Sequence, residues 1–179
     1  MRSTNTYNTG LFGRSQDATI SNIGLTDVNI TGHTWVGPLV GLAETTALTN
    51  CYATSGTVTG TTIVGGLVGY IYAPNSSSSS SITNSYSSVD NVTASTNYVG
   101  GLVGYVNYSS IRSSYSTGSV GVATISTSNR GGLVGFTGSG ITITDSFYDN
   151  ATSGQSDTGK GTGKTTAQMK TKATFTDNS

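Results

Sequence analysis

The chain has 179 residues and no net charge, and only 9% of them are Asp, Glu, Lys or Arg, against about 25% in an ordinary globular domain. That length suits one domain with a buried core. Zero net charge gives no field to hold nucleic acid, no apolar run approaches the roughly 18 residues of a membrane span, and the N-terminus does not read as a signal peptide. Ser, Thr, Asn and Gly must therefore coat the surface, and glycine alone contributes 25 residues. Cys51 is the only cysteine, which leaves no internal disulfide and predicts a small buried apolar side chain.

Taken in order, the chain keeps returning to one phrase. Gly10-Leu11-Phe12-Gly13 and Gly37-Pro38-Leu39-Val40-Gly41-Leu42 are loose versions. Val64-Gly65-Gly66-Leu67-Val68-Gly69-Tyr70 and Val99-Gly100-Gly101-Leu102-Val103-Gly104-Tyr105 are near copies, and Gly131-Gly132-Leu133-Val134-Gly135-Phe136 is another. The leucines at 11, 39, 67, 102 and 133 are spaced by 28, 28, 35 and 31 residues, which is the signature of a repeat architecture. Downstream of each leucine comes a second segment: Ile20 to Gly24, Leu48 to Tyr52, Ile82 to Tyr86, Ile111 to Tyr115 and Ile143 to Phe147. Alternation of this kind is that of a half-buried strand. A third apolar segment follows at Val28 to Ile30, Thr57-Val58, Val89 to Val92 and Val120 to Val122.

Three short strands per repeat and no helical period predict an all-β solenoid, like a parallel β-helix, of about five coils. The solenoid should occupy residues 1–150, with coils starting near 9, 36, 64, 99 and 131. Coils stacked about 4.8 Å apart make a rod of roughly 24 Å. Stacking also predicts columns: the five leucines inside, an aliphatic column beside them, an amide ladder of Asn22, Asn50 and Asn84, and an aromatic ladder of Tyr52, Tyr86, Tyr115 and Phe147. Glycines around the leucine suit corners with positive φ or close backbone approach. The serine-rich stretch from Pro74 to Ser81 reads as an inserted loop. Residues 151–179 read as a C-terminal cap or a link to a following module, with a short helix over 166–172 and Phe175 as an anchor.

The Gly-Gly-Leu-Val-Gly core with its preceding Val, the Ile-x-Asn-Ser-Tyr strand and the closing Ser146-Phe147-Tyr148-Asp149 with Thr152 to Gln155 resemble the GLUG-motif repeat family. Gly161 to Met169 is similar to a segment that often follows its last repeat. The resemblance spans roughly residues 35 to 175. It departs in the first coil, where Gly24 stands in the aromatic position and no Gly-Gly pair precedes Leu11. Such repeats occur in large bacterial surface and secreted proteins, including adhesins and non-catalytic regions of secreted peptidases. The resemblance implies a secreted or cell-surface bacterial module, adhesive or spacing, cut from a longer protein and flanked by adjacent modules.

Residues for chemistry are sparse. Gly159 to Thr166 lacks the glycine that a phosphate loop needs five residues before Gly-Lys-Thr, where Thr158 stands instead. Asp145 and Asp149 are the only neighbouring carboxylates, too few to predict a polysaccharide-cleaving enzyme. His33 has no second ligand to share a metal, and no calcium-binding nonapeptide occurs. No catalytic residue, metal or cofactor is expected.

Two surface features remain. Counting back six and five residues from each leucine gives a hydroxyl rank, Thr61, Thr96 and Thr127, then Thr34 and Thr62, with His33, Asn97 and Ser128 completing it. Such a rank on a flat sheet can order water, so an ice-binding face is the alternative reading. Period two also sets Leu42, Tyr70, Tyr105 and Phe136, with Val64 and Val68, opposite the leucines. That second ladder is the candidate face for a glycan or a host or neighbour-cell protein. The five Asn-x-Ser/Thr sequons are what a hydroxyl-rich chain gives by chance.

Overall fold

The computed structural model describes residues 7–121, 126 and 129–176. They form a β-solenoid in which every strand pairing is parallel and every partner lies one coil away. Each coil contributes to four sheets rather than to three strands. The first sheet holds Asn8–Thr9, Trp35–Val36, Ile63–Gly65, Tyr98–Gly100 and Arg130–Gly131. The second holds Phe12–Gln16, Val40–Glu44, Val68–Tyr72, Val103–Asn107 and Val134–Thr137. The third holds Thr19–Ser21, Ala47–Thr49, Ser80–Thr83, Ser109–Arg112 and Thr142–Thr144. Gly24–Thr31, Tyr52–Gly60 and the equivalent pieces of later coils make the fourth.

The extra sheet comes from the phrase that organises the sequence. The chain bends at Gly66-Leu67, and the N–H groups of Leu67 and Val68 both donate to Leu102 O, at 2.9 and 3.2 Å. Leu102 and Val103 do the same to Leu133 O. Two successive donors on one carbonyl break the two-residue alternation, as in a bulge. Leu67 and Val68 therefore both point inward. Val64 and Val68, expected on the side of Tyr70, are fully buried core residues.

Each glycine in the phrase sits where a side chain has no room. A Cβ on Gly65 would lie 2.0 Å from Val68 O, one on Gly66 2.1 Å from Gly101 O, and one on Gly69 2.6 Å from Val36 N. Close approach, not positive φ, is the requirement there. Positive φ falls elsewhere: Asn22, Asn50, Asn84, Ser113 and Asp145 share one corner, with φ between 48° and 58°. The residues expected as an amide ladder are thus left-handed turn residues, which Asn and Asp tolerate best. One amide bond does run along the stack, from Asn50 Nδ2 to Asn22 Oδ1 at 3.1 Å.

The core is the leucine column (Leu39, Leu67, Leu102, Leu133) and its neighbours Leu48, Ile82 and Ile111, all fully buried. Leu11, counted in that column, is 53% exposed because its coil ends the described stack. A line of hydroxyls runs beside the apolar columns. The N–H groups of Cys51, Ser85 and Ser114 donate to Oγ of Ser85, Ser114 and Ser146, and each serine hydroxyl donates in turn to the carbonyl two residues back. Cys51 starts this column, buried, its thiol 3.3 Å from Thr49 O.

At the C-terminal end the stack is closed by substitutes for a further coil. Thr162–Lys164 adds a last strand to the fourth sheet. Tyr148 takes the register position of Ser116, its ring covers Gly132, and its hydroxyl donates to Asp157 O at 2.8 Å. Gly66 and Gly101 donate to the next coil's backbone, whereas the equivalent Gly132 N–H donates to the Asp157 carboxylate at 2.9 Å. Lys160 Nζ donates to Arg130 O and Gly135 O. Asp149 caps α1 (Asn150–Ser153), and its carboxylate also accepts from Thr166 Oγ1 at the start of α2 (Thr166–Met169). The helix expected over 166–172 is this single turn, followed by α3 (Ala173–Thr176).

Candidate functional site

The second ladder becomes a belt once the first sheet is added. Trp35, Ile63 and Tyr98 lie in register one coil apart and four residues before each leucine. They border the column Arg14, Leu42, Tyr70, Tyr105 and Phe136 of the second sheet. Tyr70 and Tyr105 stack nearly parallel with centroids 4.6 Å apart. Tyr72 stacks on Tyr70 at 5.0 Å, and Tyr98 on Phe136 at 4.5 Å. Trp35 meets Tyr70 at 6.1 Å and 47°, and Tyr98 meets Tyr105 at 5.4 Å and 57°. Six aromatic rings, all half-buried, thus form one continuous patch on the outside of four coils.

Leu42, expected in this face, is buried between Arg14 and Tyr70 and offers little contact area. Trp35, Tyr72 and Tyr98 join the belt in addition to the residues expected there. Trp35 and Tyr98 have a signal in the sequence, since an offset of four residues before each leucine gives Trp35, Ile63 and Tyr98, whereas Tyr72 is in register with Gln16, Glu44 and Asn107 and has none.

The belt has a polar margin. Arg14 and Glu44 form an ion pair, with Tyr72 the register partner of Glu44 one coil on. The Arg14 hydrogen bond holds the Glu44 carboxyl below its ordinary range. Burial, with the neighbouring Tyr105 and Tyr72 adding to it, pushes the Tyr70 phenol up to about 12. Tyr105 and Tyr72 are raised for the same first reason, desolvation. The phenols are therefore neutral hydrogen-bonding groups across the physiological range. Stacking within the ladder engages ring faces between coils, so an incoming ligand meets ring edges and hydroxyls along it.

The hydroxyl rank is placed differently from its expected strand. Thr34, Thr61, Thr62 and Thr96 lie in the bends joining the fourth sheet to the first, and Thr127 and Ser128 lie outside the described residues. Thr96 Oγ1 donates to Thr61 O at 2.7 Å, and Thr34 Oγ1 lies 2.9 Å from His33 Nδ1. A field of hydroxyls and amides does exist on the fourth sheet. Asn29 and Thr31, Thr57 and Thr59, and Asn91 and Thr93 stand in two columns, with Ser119 ending one of them. Thr93 Oγ1 reaches Thr59 Oγ1 at 3.2 Å.

The remaining candidates have structural roles. Asp149 is buried at its helix cap, and Asp145 is an exposed corner residue. Lys160, in the glycine-lysine stretch, holds backbone carbonyls. Among the described residues no three His, Cys, Asp or Glu side chains are placed to hold a metal. No described helix is long and apolar enough to cross a membrane.

Comparison with known proteins agrees with the repeat. Residues 95–121, which run from the bend before the fourth coil through most of that coil, match the model of the GLUG motif. A Gly-rich membrane protein of Evansella cellulosilytica is 41% identical over 104 residues, covering 56% of this chain and 12% of its own length. No solved structure matches. The chain is a GLUG-bearing β-solenoid, similar to a small part of a much larger bacterial protein.

Proposed function

We propose that this chain is a non-enzymatic, extracellular module of a bacterial surface protein, and that it holds a glycan or a protein of another cell through the aromatic belt. The belt carries the proposal: six contiguous aromatic side chains lie outside a core that is already complete. Aromatic rings give large contact area at small entropic cost, and neutral phenol hydroxyls give orientation. The fold contributes rigidity, since parallel pairing in four sheets fixes the rings in register. Low charge suits a contact made by shape and hydrogen bonds rather than by long-range attraction. Should the belt bind nothing, a rigid spacer is the remaining role.

The test is a glycan array run with the wild type and with Tyr70→Ala/Tyr105→Ala, each checked for folding by circular dichroism. Binding that falls at least about tenfold in the folded variant supports the belt. Binding that survives places the ligand elsewhere.

The hydroxyl field on the fourth sheet favours a second reading, ice binding. Its oxygens repeat at about 4.8 Å between coils and about 6.7 Å between alternate residues of a strand. Inhibition of ice recrystallisation by the wild type, lost in Thr59→Tyr, is the expected result. Equal activity of the two proteins, or none in the wild type, removes this reading.

A further inference from the structure

At the corner between the second and third sheets the third coil carries the loop 73–79, and the fourth coil carries Tyr108. The loop is pinned. Asn75 Oδ1 accepts from the N–H groups of Ser77 and Ser78 at 2.9 and 3.2 Å, and the Ser80 hydroxyl donates to Tyr72 O at 2.7 Å. The fifth coil's turn at the same corner is pinned too. Gly138 N–H donates to Val106 O and Ser139 N–H to Asn107 Oδ1, both at 2.8 Å, and Tyr108 N–H donates to Ser139 O at 2.7 Å. Between the loop and this turn lies a cleft of about 230 Å³ with Tyr108 in its wall.

Tyrosine is an unfavourable residue for that position. The corner is left-handed in earlier coils as well, with Asp17 at a φ of 48° and Thr45 at 45°, and Tyr108 keeps 44°. The turn itself favours Gly, Asn or Asp, so a bulky ring there is strained, and strain of this kind clusters at binding sites. The ring is half-buried against Gly140, where a Cβ would lie 2.4 Å from Tyr108 Cδ1. Hydroxyls surround it. Ser76, Ser78 and Ser79 come from the loop, and Ser110 and Thr142 from the third sheet. Those five hydroxyls make no hydrogen bond to another described residue, whereas the Ser80 and Ser109 hydroxyls are committed to Tyr72 O and Asn107 O. Among the described residues no charged side chain lines the cleft.

We propose that this cleft is a binding site for a neutral pyranose, one sugar ring seated against Tyr108 and held by the serine and threonine hydroxyls. A sugar ring has an apolar C–H face and a hydroxyl rim, which match an aromatic wall bordered by uncommitted hydroxyls. The cleft is smaller than the roughly 300–1,000 Å³ of sites for drug-sized ligands, so it takes one ring rather than a chain. An acidic or phosphorylated sugar would give up hydration with no cation to meet it. The site is separate from the aromatic belt. It lies round the corner from it, past Tyr72 and Asn107, where strands of the second sheet end. It therefore stands or falls independently of what the belt holds.

The test follows backbone amide shifts by NMR while the methyl glycosides of glucose, galactose, mannose and N-acetylglucosamine are added one at a time. At least one should move the amides of Ser76, Ser78, Ser79, Tyr108 and Ser110, and glucuronic acid and a sugar phosphate should not. Tyr108→Asn keeps the left-handed corner without the ring and should weaken binding by about tenfold or more. Ser79→Trp, on the exposed loop and clear of the strands, should do the same by filling the cleft. Tyr70→Ala/Tyr105→Ala should bind as the wild type does. A trisaccharide ending in the same sugar, bound more tightly than the glycoside, supports the cleft as a seat for the end of a glycan; bound no more tightly, it supports a free sugar. The proposal is overturned if no glycoside moves these amides, if the acidic sugars move them equally, or if binding survives Tyr108→Asn and Ser79→Trp. Loss of binding in the belt variant alone also overturns it, by assigning the sugar to the belt.

Discussion

At the scale of single residues, the chain uses few charges and many neutral hydroxyls, and its buried tyrosines bring a pH dependence at the alkaline end. Tyr70 and Tyr148 are both pushed up to about 12 from an ordinary 10, each by burial first. For Tyr148 the second cause is the negative charge of Asp157, itself pulled upward by burial and downward by the Gly132 N–H and Lys160. The neutral phenol is thus the form the fold prefers. Below pH 10 that preference costs nothing, because the unfolded chain is also protonated. Between pH 10 and 12 the unfolded phenols ionise first and stability falls. Urea midpoints should accordingly be level from pH 8 to 9.5 and drop steeply above 10. Tyr148→Phe should start from a lower midpoint, having lost the bond to Asp157 O, and decline less steeply. A parallel decline in both proteins would deny Tyr148 this role.

At the scale of an element, the repeated phrase is a device for bringing a strand of one coil against the backbone of the coil before. The last glycine of the phrase is the contact point. A Cβ on Gly104 would stand 2.7 Å from Gly69 O and 2.8 Å from Val64 N, atoms that cannot swing aside as a side chain would. Gly104→Ala should cost about 2–3 kcal/mol by overpacking, measured by urea unfolding. Ser119→Ala, on the exposed face of the fourth sheet, should stay within about 0.5 kcal/mol. The loop from Pro74 onward illustrates the opposite tolerance. Tyr72 pairs with Asn107 and Ser80 with Ser109, so the seven residues 73–79 occupy a place that Tyr108 alone fills one coil later. Tyr108 turns that corner at a positive φ of 44°, and the longer loop leaves the strands on either side undisturbed.

At the scale of the whole molecule, the sequence announces the solenoid plainly because every coil places like residues over like. The columns through Leu39, through Leu48 and through Tyr52 need no structure to be seen. The number of sheets was hidden, since strands of two or three residues such as Trp35–Val36 are too short to show alternation and the bulge at Leu67-Val68 interrupts it. The same bulge concealed two of the six belt rings: Tyr70 and Tyr105 lie on a readable strand, while Trp35 and Tyr98 precede the interruption. The closing residues were the least legible. Asp157 and Lys160 each do once what the repeat does elsewhere with backbone, and a feature used once leaves no period to detect.

The direction of the hydrogen bonds has a mechanical consequence. They run from coil to coil, so tension along the stack pulls on every bond of one boundary together, while the covalent chain crosses that boundary only once. Such a rod is stiff until a boundary fails. Peeling a 28-residue coil then releases roughly 90 Å of chain where the stack had occupied about 5 Å. A tether built of these coils would lengthen in steps of one turn, and shed load before its anchorage does.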